Sequence, residues 1–471
     1  MEEKELRAFL DKTIVESYDR AKSYAYFDSK KLPLRFIFFR LEKKIKDYLE
    51  GKSEDRLILL PGLRGVGKTT LLSQIYIHLV ENLGIEKERI IFVSVDELIR
   101  ATGSDINTLV KSYEANYLGK YIESLDKNVF FLFDEVNYDR NWATNLKILY
   151  DRSKKVFIIA TGSSALSLTS NLDLVRRATF EEVFPLNFSE YLLLKGSYVS
   201  LENLRKFVID LIFNPSLIKE FKGEIKDEYL KYKTSFTPFD LDNFLKLYGF
   251  PFSLFREEKE ACDKIVKILD RIVYEDLRKI ENFDLSTLEK ASKVIFLLAS
   301  SPSISIDSIS KQVGLSKETV SRVLNALEKC MLINSVKPFG KEEKIVKKAW
   351  KYYFVSPTLR YCIKNFLGTY REEDRGILLE DYVSSVLFRI KKTRLNFDIF
   401  YDSKKKGSNF LVKKFSEKPI PIEVKFGEKG ENQLLFSMKR FNSPYGILIG
   451  NFELEFDGKI LYLPKELFFV I

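Results

Sequence analysis

GLRGVGKTT, residues 62–70, lies between the apolar run Leu57-Ile58-Leu59-Leu60 and the helix-like stretch LLSQIYIHLV, so a strand, a glycine loop and a helix follow one another. The stretch fits G-x-x-x-x-G-K-[ST], with Gly62, Gly67, Lys68 and Thr69 in the fixed places. Glycines let consecutive backbone N–H groups turn inward on phosphate oxygens, and a helix beginning near Lys68 adds the positive end of its dipole. On this reading the loop through Gly62, Leu63, Arg64, Gly65, Val66, Gly67, Lys68, Thr69 and Thr70 cradles a nucleotide. Lys68 reaches the β and γ phosphates, and the Thr69 hydroxyl ligates Mg²⁺.

A second stretch, FFLFDEVNYDRNW, has a buried strand deliver Asp134 and Glu135 to its C-terminal end, the edge where ligands bind in parallel sheets. Asp134 there holds Mg²⁺ through water, and Glu135 polarises the attacking water as a general base. A third run, KVFIIATGSS, ends in Thr161, Ser163 and Ser164, where a polar side chain senses the γ phosphate or orients the water. Beyond it lie Arg176 and Arg177, candidates for an arginine that neutralises transition-state charge.

The rest of the composition narrows the chemistry. His78 is the single histidine, which excludes His-pair zinc sites, a Ser-His-Asp triad and His-dependent nucleases; on its helix it reads as a partly exposed residue. Cys262, Cys330 and Cys362 are few, odd in number and widely spaced, so buried thiols are expected rather than a disulfide framework or a zinc knuckle. No apolar run approaches the roughly 20 residues of a membrane span. The acidic start MEEKELRAFLDK does not resemble an export signal, so a cytoplasmic location is expected. A net charge of +10 favours polyanion partners, although surplus lysine also serves solubility.

Short apolar runs alternate with amphipathic stretches at 57–60, 89–95, 129–135, 155–164 and 180–186, which predicts an α/β fold with a helix-covered parallel sheet. Helical periodicity dominates residues 1–55 and again 191–290, the latter read as a helical lid after the core at 56–190. Within 291–360, SISIDSISKQVGLSKETVSRVLNALEKCMLI gives a short helix, a turn at Gly314-Leu315 and a second helix capped by Ser316. This is a helix-turn-helix outline, with the following residues as two strands of a wing. Lys317, Thr319, Ser321 and Arg322 fall near the start of the second helix, where a reading helix touches bases and phosphates. A last module, 370–471, runs helix, strand, lysine turn, strand, Pro-marked turn and strand.

Taken together, GLRGVGKTTLL, FFLFDEVNYDRNW, IIATGSSA and FPLNFSEYL resemble the AAA-type P-loop ATPases of archaea and bacteria that carry a winged helix and a PD-(D/E)xK nuclease-like C-terminus. YGFPF, YYFVSPTLR, GILLEDYV and IPIEVKFG follow in the family's order, so the resemblance covers most of the chain from about residue 35. It implies ATP and Mg²⁺ as ligands and a restriction-endonuclease-like α/β fold for residues 370–471. It also places the family's arginine on Arg177, with Arg176 where a glycine is usual. For the nuclease-like module it implies a second metal site at Glu380, Asn409 and Glu423, with Lys425 as the activating lysine. Period-2 alternation puts Glu423 and Lys425 on one strand face. Asn409 stands where the family shows an aspartate, and an amide oxygen brings no charge to a cation, so Asp402 or Asp398 is the alternative ligand.

The sequence therefore predicts an ATPase hydrolysing Mg-ATP through Lys68, Asp134, Glu135 and Arg177, coupled to a winged helix and a degenerate nuclease-like domain on or near DNA. Two rivals stand beside it. An ATP-licensed DNA nuclease needs an intact metal triad, and a non-hydrolysing interaction switch needs tight ATP binding without turnover. Expected partners are ATP and DNA, with a second copy of the chain as a further candidate and no membrane.

Overall fold

Two helices, α1 (Glu2–Ala25) and α2 (Phe36–Leu49), precede the strand that carries the glycine loop, β1 (Leu57–Pro61). There follow α3 (Lys68–Glu81), β2 (Ile90–Ser94), α4 (Val95–Thr102), α5 (Ile106–Tyr113), β3 (Val129–Asp134), α6 (Trp142–Arg152), β4 (Val156–Gly162) and β5 (Thr179–Phe180). The computed structural model describes residues 2–162, 174, 176–340, 349–393, 396–427 and 430–471, and the chain divides into one unit at Met1–Phe184 and another at Pro185–Ile471.

In the five-stranded sheet of the first unit the strand order is β2-β3-β4-β1-β5, and every pairing in that sheet is parallel; a separate short antiparallel hairpin pairs Tyr26 and Phe27 with Lys31 and Lys30. Strands β1, β3 and β4 are buried along their whole length, which is why they read as unbroken apolar runs rather than as alternations. Helix α1 meets this layer with Leu6, Leu10, Ile14, Ser17, Ala21 and Ala25, spaced at three and four residues so that they form one buried stripe. Leu6, Leu10 and Ile14 join Leu57, Ile91, Val93 and Phe131 in the core cluster. Helix α3 is buried nearly all round, and His78 is buried with it, edge-on to Phe38, where burial holds it below its usual pKa. The partly exposed histidine expected from sequence is thus corrected by the depth of this helix. The strand expected over 180–186 is shorter than its apolar pattern. Glu181 and Val183 donate their N–H groups to Leu59 and Pro61 at 2.9 and 2.8 Å, and pairing stops before Pro185, which has no N–H to give.

The second unit begins with helices α7 (Phe188–Lys195), α8 (Glu202–Phe213), α9 (Glu224–Thr234), α10 (Pro238–Lys246), α11 (Glu258–Arg271) and α12 (Leu285–Ser300). Next come β6 (Ser303–Ile304), α13 (Ile306–Val313), α14 (Lys317–Lys329), β7 (Ile333–Pro338), β8 (Trp350–Phe354), α15 (Pro357–Phe366) and α16 (Arg375–Thr393). The chain closes with β9 (Phe397–Tyr401), β10 (Phe410–Lys414), β11 (Ile420–Val424), α17 (Asn432–Phe441), β12 (Gly446–Gly450), β13 (Glu455–Phe456), β14 (Ile460–Pro464) and α18 (Lys465–Phe468). Among the described residues one nine-stranded mixed sheet runs β13-β14-β12-β11-β10-β9-β7-β8-β6. The hairpin β7–β8 after the helix pair is therefore continuous with the strands of residues 397–464, through parallel pairing of Phe400 and Tyr401 with Lys337 and Pro338. Residues 341–348, the tip of the expected wing, lie outside the described residues.

A fully buried ion pair locks this unit. Arg360 on α15 donates to both carboxylate oxygens of Asp381 on α16 at 2.6 and 2.9 Å, and to the carbonyls of Leu298 and Ala299 at the end of α12. Two charges out of water persist only when every donor is spoken for, as here. The cysteine expectation is corrected in the same region. Cys262 on α11 and Cys362 on α15 form a disulfide, their Cα atoms 4.8 Å apart across 100 residues of sequence. Packing of α11 against α15 brings together two positions whose spacing carried no sign of it. Cys330 is buried, as expected.

Candidate functional site

Strand β1 ends at Pro61, and the loop that follows is shaped by its glycines for different reasons. Gly65 and Gly67 take φ of 83° and 93°, left-handed values that a side chain disfavours. Gly62 is required by packing: a Cβ there would lie 2.5 Å from the carbonyl oxygen of Val183. Leu63 and Val66 are buried. Helix α3 starts at Lys68 with Gly67 as an N-cap that makes no side-chain capping bond, leaving first-turn N–H groups for an anion. Arg35, buried ahead of α2, braces the loop from outside by donating to the carbonyls of Val66 and Phe184 at 2.7 and 3.0 Å.

Strand order brings the remaining groups together. With β4 inserted between β1 and β3, Thr161 on β4 stands between the loop and the acidic strand end. Asp134 accepts hydrogen bonds on both oxygens, from Thr69 Oγ1 at 2.7 Å and from Thr161 Oγ1. The Thr161 hydroxyl in turn accepts the backbone N–H of Glu135 at 3.0 Å. Glu135 itself sits in the left-handed region at φ 55°, ψ 48°, turning its carboxylate toward the loop, where Oε1 lies 3.5 Å from the Arg64 guanidinium. Lys68 Nζ donates to the Gly62 and Leu63 carbonyls at 2.7 and 3.1 Å. The donor set of Thr69 hydroxyl and Asp134 carboxylate suits a hard divalent cation, and the glycine cradle with its N–H groups suits phosphate.

Other singled-out residues lie elsewhere. Arg177 is tied to Asp151 at 2.7 Å, and Arg176 is exposed. Ser163 and Ser164 lie outside the described residues. The Arg64 contact with Glu135 and the Arg35 brace had no sequence signal, because both join segments far apart in the chain.

In the second unit, Glu423 on β11 is buried, and burial pushes its carboxyl above the usual range against the opposing pull of Lys425 and the Asn409 N–H. Lys425 Nζ lies 3.2 Å from Glu423 Oε1 and donates to Gln433 at 2.7 Å. Asn409 serves the backbone: its N–H donates to Glu423 Oε2 at 3.1 Å and its Oδ1 accepts the Val424 N–H at 2.9 Å. Glu380 accepts from the Tyr353 hydroxyl at 3.0 Å. Asp402 is taken up by Ser437 and Arg440, and Asp398 by Lys391. Among the described residues no cluster of three or more His, Cys, Asp or Glu is placed to hold a metal. On the helix pair, Ser316 caps α14 by accepting the Thr319 N–H, Lys317 pairs with Asp307 at 2.6 Å, and Arg322 pairs with Glu281 at 2.8 Å.

The comparisons fall on both units. A family model described as an AAA domain matches residues 54–192, and one described as a domain of unknown function (DUF8612) matches 241–369. An uncharacterized protein of Methanocaldococcus jannaschii is 35% identical over 441 residues, 93% of this chain and 89% of its own length. A second from the same organism is 24% identical over 383 residues, 79% of this chain and 74% of its own. The solved structure of AMPPCP-bound DnaA from Aquifex aeolicus aligns at 20% identity and a TM-score of 0.24, over 62% of this chain and 87% of that one. No helix among the described residues is long and apolar enough to cross a membrane. With identity of 35% across nearly the whole of both chains, this protein belongs to the family of the first Methanocaldococcus jannaschii protein and carries an AAA domain at residues 54–192.

Proposed function

We propose that the protein is an ATPase that binds Mg-ATP on Gly62–Thr70 and hydrolyses it with Glu135 as general base. The observation that carries this reading is the hydrogen-bonded chain Thr69–Asp134–Thr161–Glu135, which ties the phosphate loop to the acidic strand end. Thr69 and Asp134 hold the Mg²⁺, which when bound neutralises charge on the phosphate oxygens. Lys68 leaves the Gly62 and Leu63 carbonyls for the phosphates. Thr161 fixes the backbone of Glu135, so that its carboxylate can take a proton from water at one defined place. Arg177, paired with Asp151 in this structure, is the arginine that neutralises charge on the transferred phosphate once that pair opens.

The second unit acts on or near DNA, with residues 291–360 as a winged helix and residues 370–471 as a degenerate nuclease-like domain with weak or no cutting. Support comes from the net charge of +10 and the exposed Lys317 and Arg322 on α14. The degenerate reading is favoured by Asn409, whose amide oxygen accepts the Val424 N–H, and by Asp402, committed to Arg440. The test is ATPase turnover of wild type, K68A and E135Q, with and without duplex DNA.

A further inference from the structure

The turn between β9 and β10 carries Lys404, Lys405 and Lys406, all exposed, and leads directly into Ser408 and Asn409. Like charges in a row repel one another, yet the turn beneath them is closely built. Asp402, buried at its base, accepts the Lys404 N–H at 3.2 Å and the Ser437 hydroxyl of α17 at 2.9 Å, and pairs with Arg440 on the same helix. Ser408 donates its N–H to Ser437 Oγ at 2.9 Å. Gly407 is pressed so close that a Cβ would meet the Asp402 carbonyl oxygen at 2.4 Å. The turn is thereby fastened to α17 at Ser437 and Arg440, on either side of the exposed Lys439. Among the described residues none of Lys404, Lys405, Lys406 and Lys439 meets a carboxylate. The cations of the helix pair differ: Asp307 holds Lys311 at 3.0 Å and Lys317 at 2.6 Å, and Glu281 holds Arg322 at 2.8 Å.

We propose that this lysine turn, with Lys439, is the surface on which the second unit grips the phosphate backbone of duplex DNA. This rests on the reading above that the second unit acts on or near DNA, and adds the place and the mode of contact: lysine to phosphate, without base recognition. A cation already paired must give up its carboxylate before it meets a phosphate, whereas an unpaired lysine gains the full release of phosphate counterions. A duplex presents a negative charge about every 1.7 Å of its axis, a density that suits successive lysines better than the scattered carboxylates of a protein partner do. Fastening the turn to α17 lowers the ordering cost of binding. Because Asn409 follows the turn and donates its N–H to Glu423 at 3.1 Å, a duplex gripped here lies with its backbone beside the candidate site of the nuclease-like module.

The test is fluorescence anisotropy of a labelled duplex of about 20 base pairs, titrated with the full chain at salt from about 50 to 200 mM. Wild type is compared with K404A/K405A/K406A, the charge-keeping K404R/K405R/K406R, K439A and K317A/R322A. Each lysine on a phosphate contributes about 0.9 to the slope of log affinity against log salt. The triple alanine variant should therefore lose about 2.7 from that slope and bind about 30-fold more weakly at low salt, and K439A should lose about 0.9. The triple arginine variant should keep the wild-type affinity and slope, and K317A/R322A should lose less than the triple alanine variant on both counts. If the alanine variant does not fold, K404Q/K405Q/K406Q takes its place. A triple alanine variant with wild-type affinity and slope, or poly-glutamate that displaces the labelled duplex as well as unlabelled DNA does, overturns the proposal. If wild type binds no duplex, the DNA reading fails and this surface with it; if wild type binds and only K317A/R322A weakens it, the surface alone fails.

Discussion

The Thr161 hydroxyl accepts the backbone N–H of Glu135 at 3.0 Å while donating to Asp134, so one side chain on β4 holds both acidic residues at the end of β3. Thr161 is fully buried, with no water to replace its bonds. T161V keeps the shape and removes both contacts, leaving an orphaned N–H at Glu135. ATP binding should persist within about threefold, while turnover falls about tenfold or more. Calorimetry beside a steady-state phosphate-release assay separates the two, and an unchanged turnover would remove Thr161 from the catalytic arrangement.

Gly62 answers to Val183 whether or not a phosphate is bound. A Cβ at residue 62 would meet the Val183 carbonyl oxygen at 2.5 Å, and backbone on both sides must shift to admit it. G62A should destabilise the first unit by about 1–3 kcal/mol even without nucleotide. Denaturant unfolding in nucleotide-free buffer measures this. A variant as stable as wild type that has lost only ATP binding would show the glycine to be needed for the ligand alone.

How much of this could be read from sequence depends on how local each signal is. The loop at 62–70 and the strand VFFLFD carry their patterns within a few residues, and the buried strands of a parallel sheet show themselves as continuous apolar runs. Thr69, Asp134 and Thr161 were singled out in this way and lie in hydrogen-bond contact. The Arg64–Glu135 contact, the Arg35 brace and the Cys262–Cys362 bridge depend on packing between distant segments, which periodicity does not encode. The same holds for the join between β7 and β9, where a hairpin that reads as the edge of one module pairs with the first strand of the next. Asn409 shows a further limit. An amide at this position, where the sequence resemblance implies a carboxylate, is legible in the sequence, but its bond to the Val424 N–H is not.

Burial pushes the Asp381 carboxyl up to about 6, with the Arg360 guanidinium acting against the rise. The folded state therefore takes up this proton at a higher pH than the unfolded chain, where aspartate titrates near about 3.9. The stability this linkage contributes is full below about pH 4 and is lost as pH rises through about 6, most steeply near pH 5 at roughly 1 kcal/mol per pH unit. D381N abolishes that slope. The difference in unfolding free energy between wild type and D381N should vary with pH between about 4 and 6 and level off above 7. A difference constant from pH 4 to 8 contradicts the assignment.

At the second unit's candidate metal site, charge is what Asn409 lacks. Wild-type protein should cleave plasmid DNA poorly with Mg²⁺ and somewhat better with Mn²⁺. N409D adds a carboxylate beside Glu423 and should raise divalent affinity about tenfold, with cleavage rising in step. Cation titration and a nicking assay measure the two effects. Strong wild-type cleavage that E423A abolishes would show that the site is complete without an aspartate at residue 409.

The central claim is that the loop at Gly62–Thr70 and the acidic pair at the end of β3 form one hydrolytic site, and the direct test is ATP binding and turnover of wild type, K68A and E135Q under the same conditions. Wild type should bind and hydrolyse ATP, K68A should bind none, and E135Q should bind at least as tightly as wild type while turning over about 100-fold more slowly or less. A wild-type protein that binds no ATP, or an E135Q variant that hydrolyses it at the wild-type rate, contradicts the account.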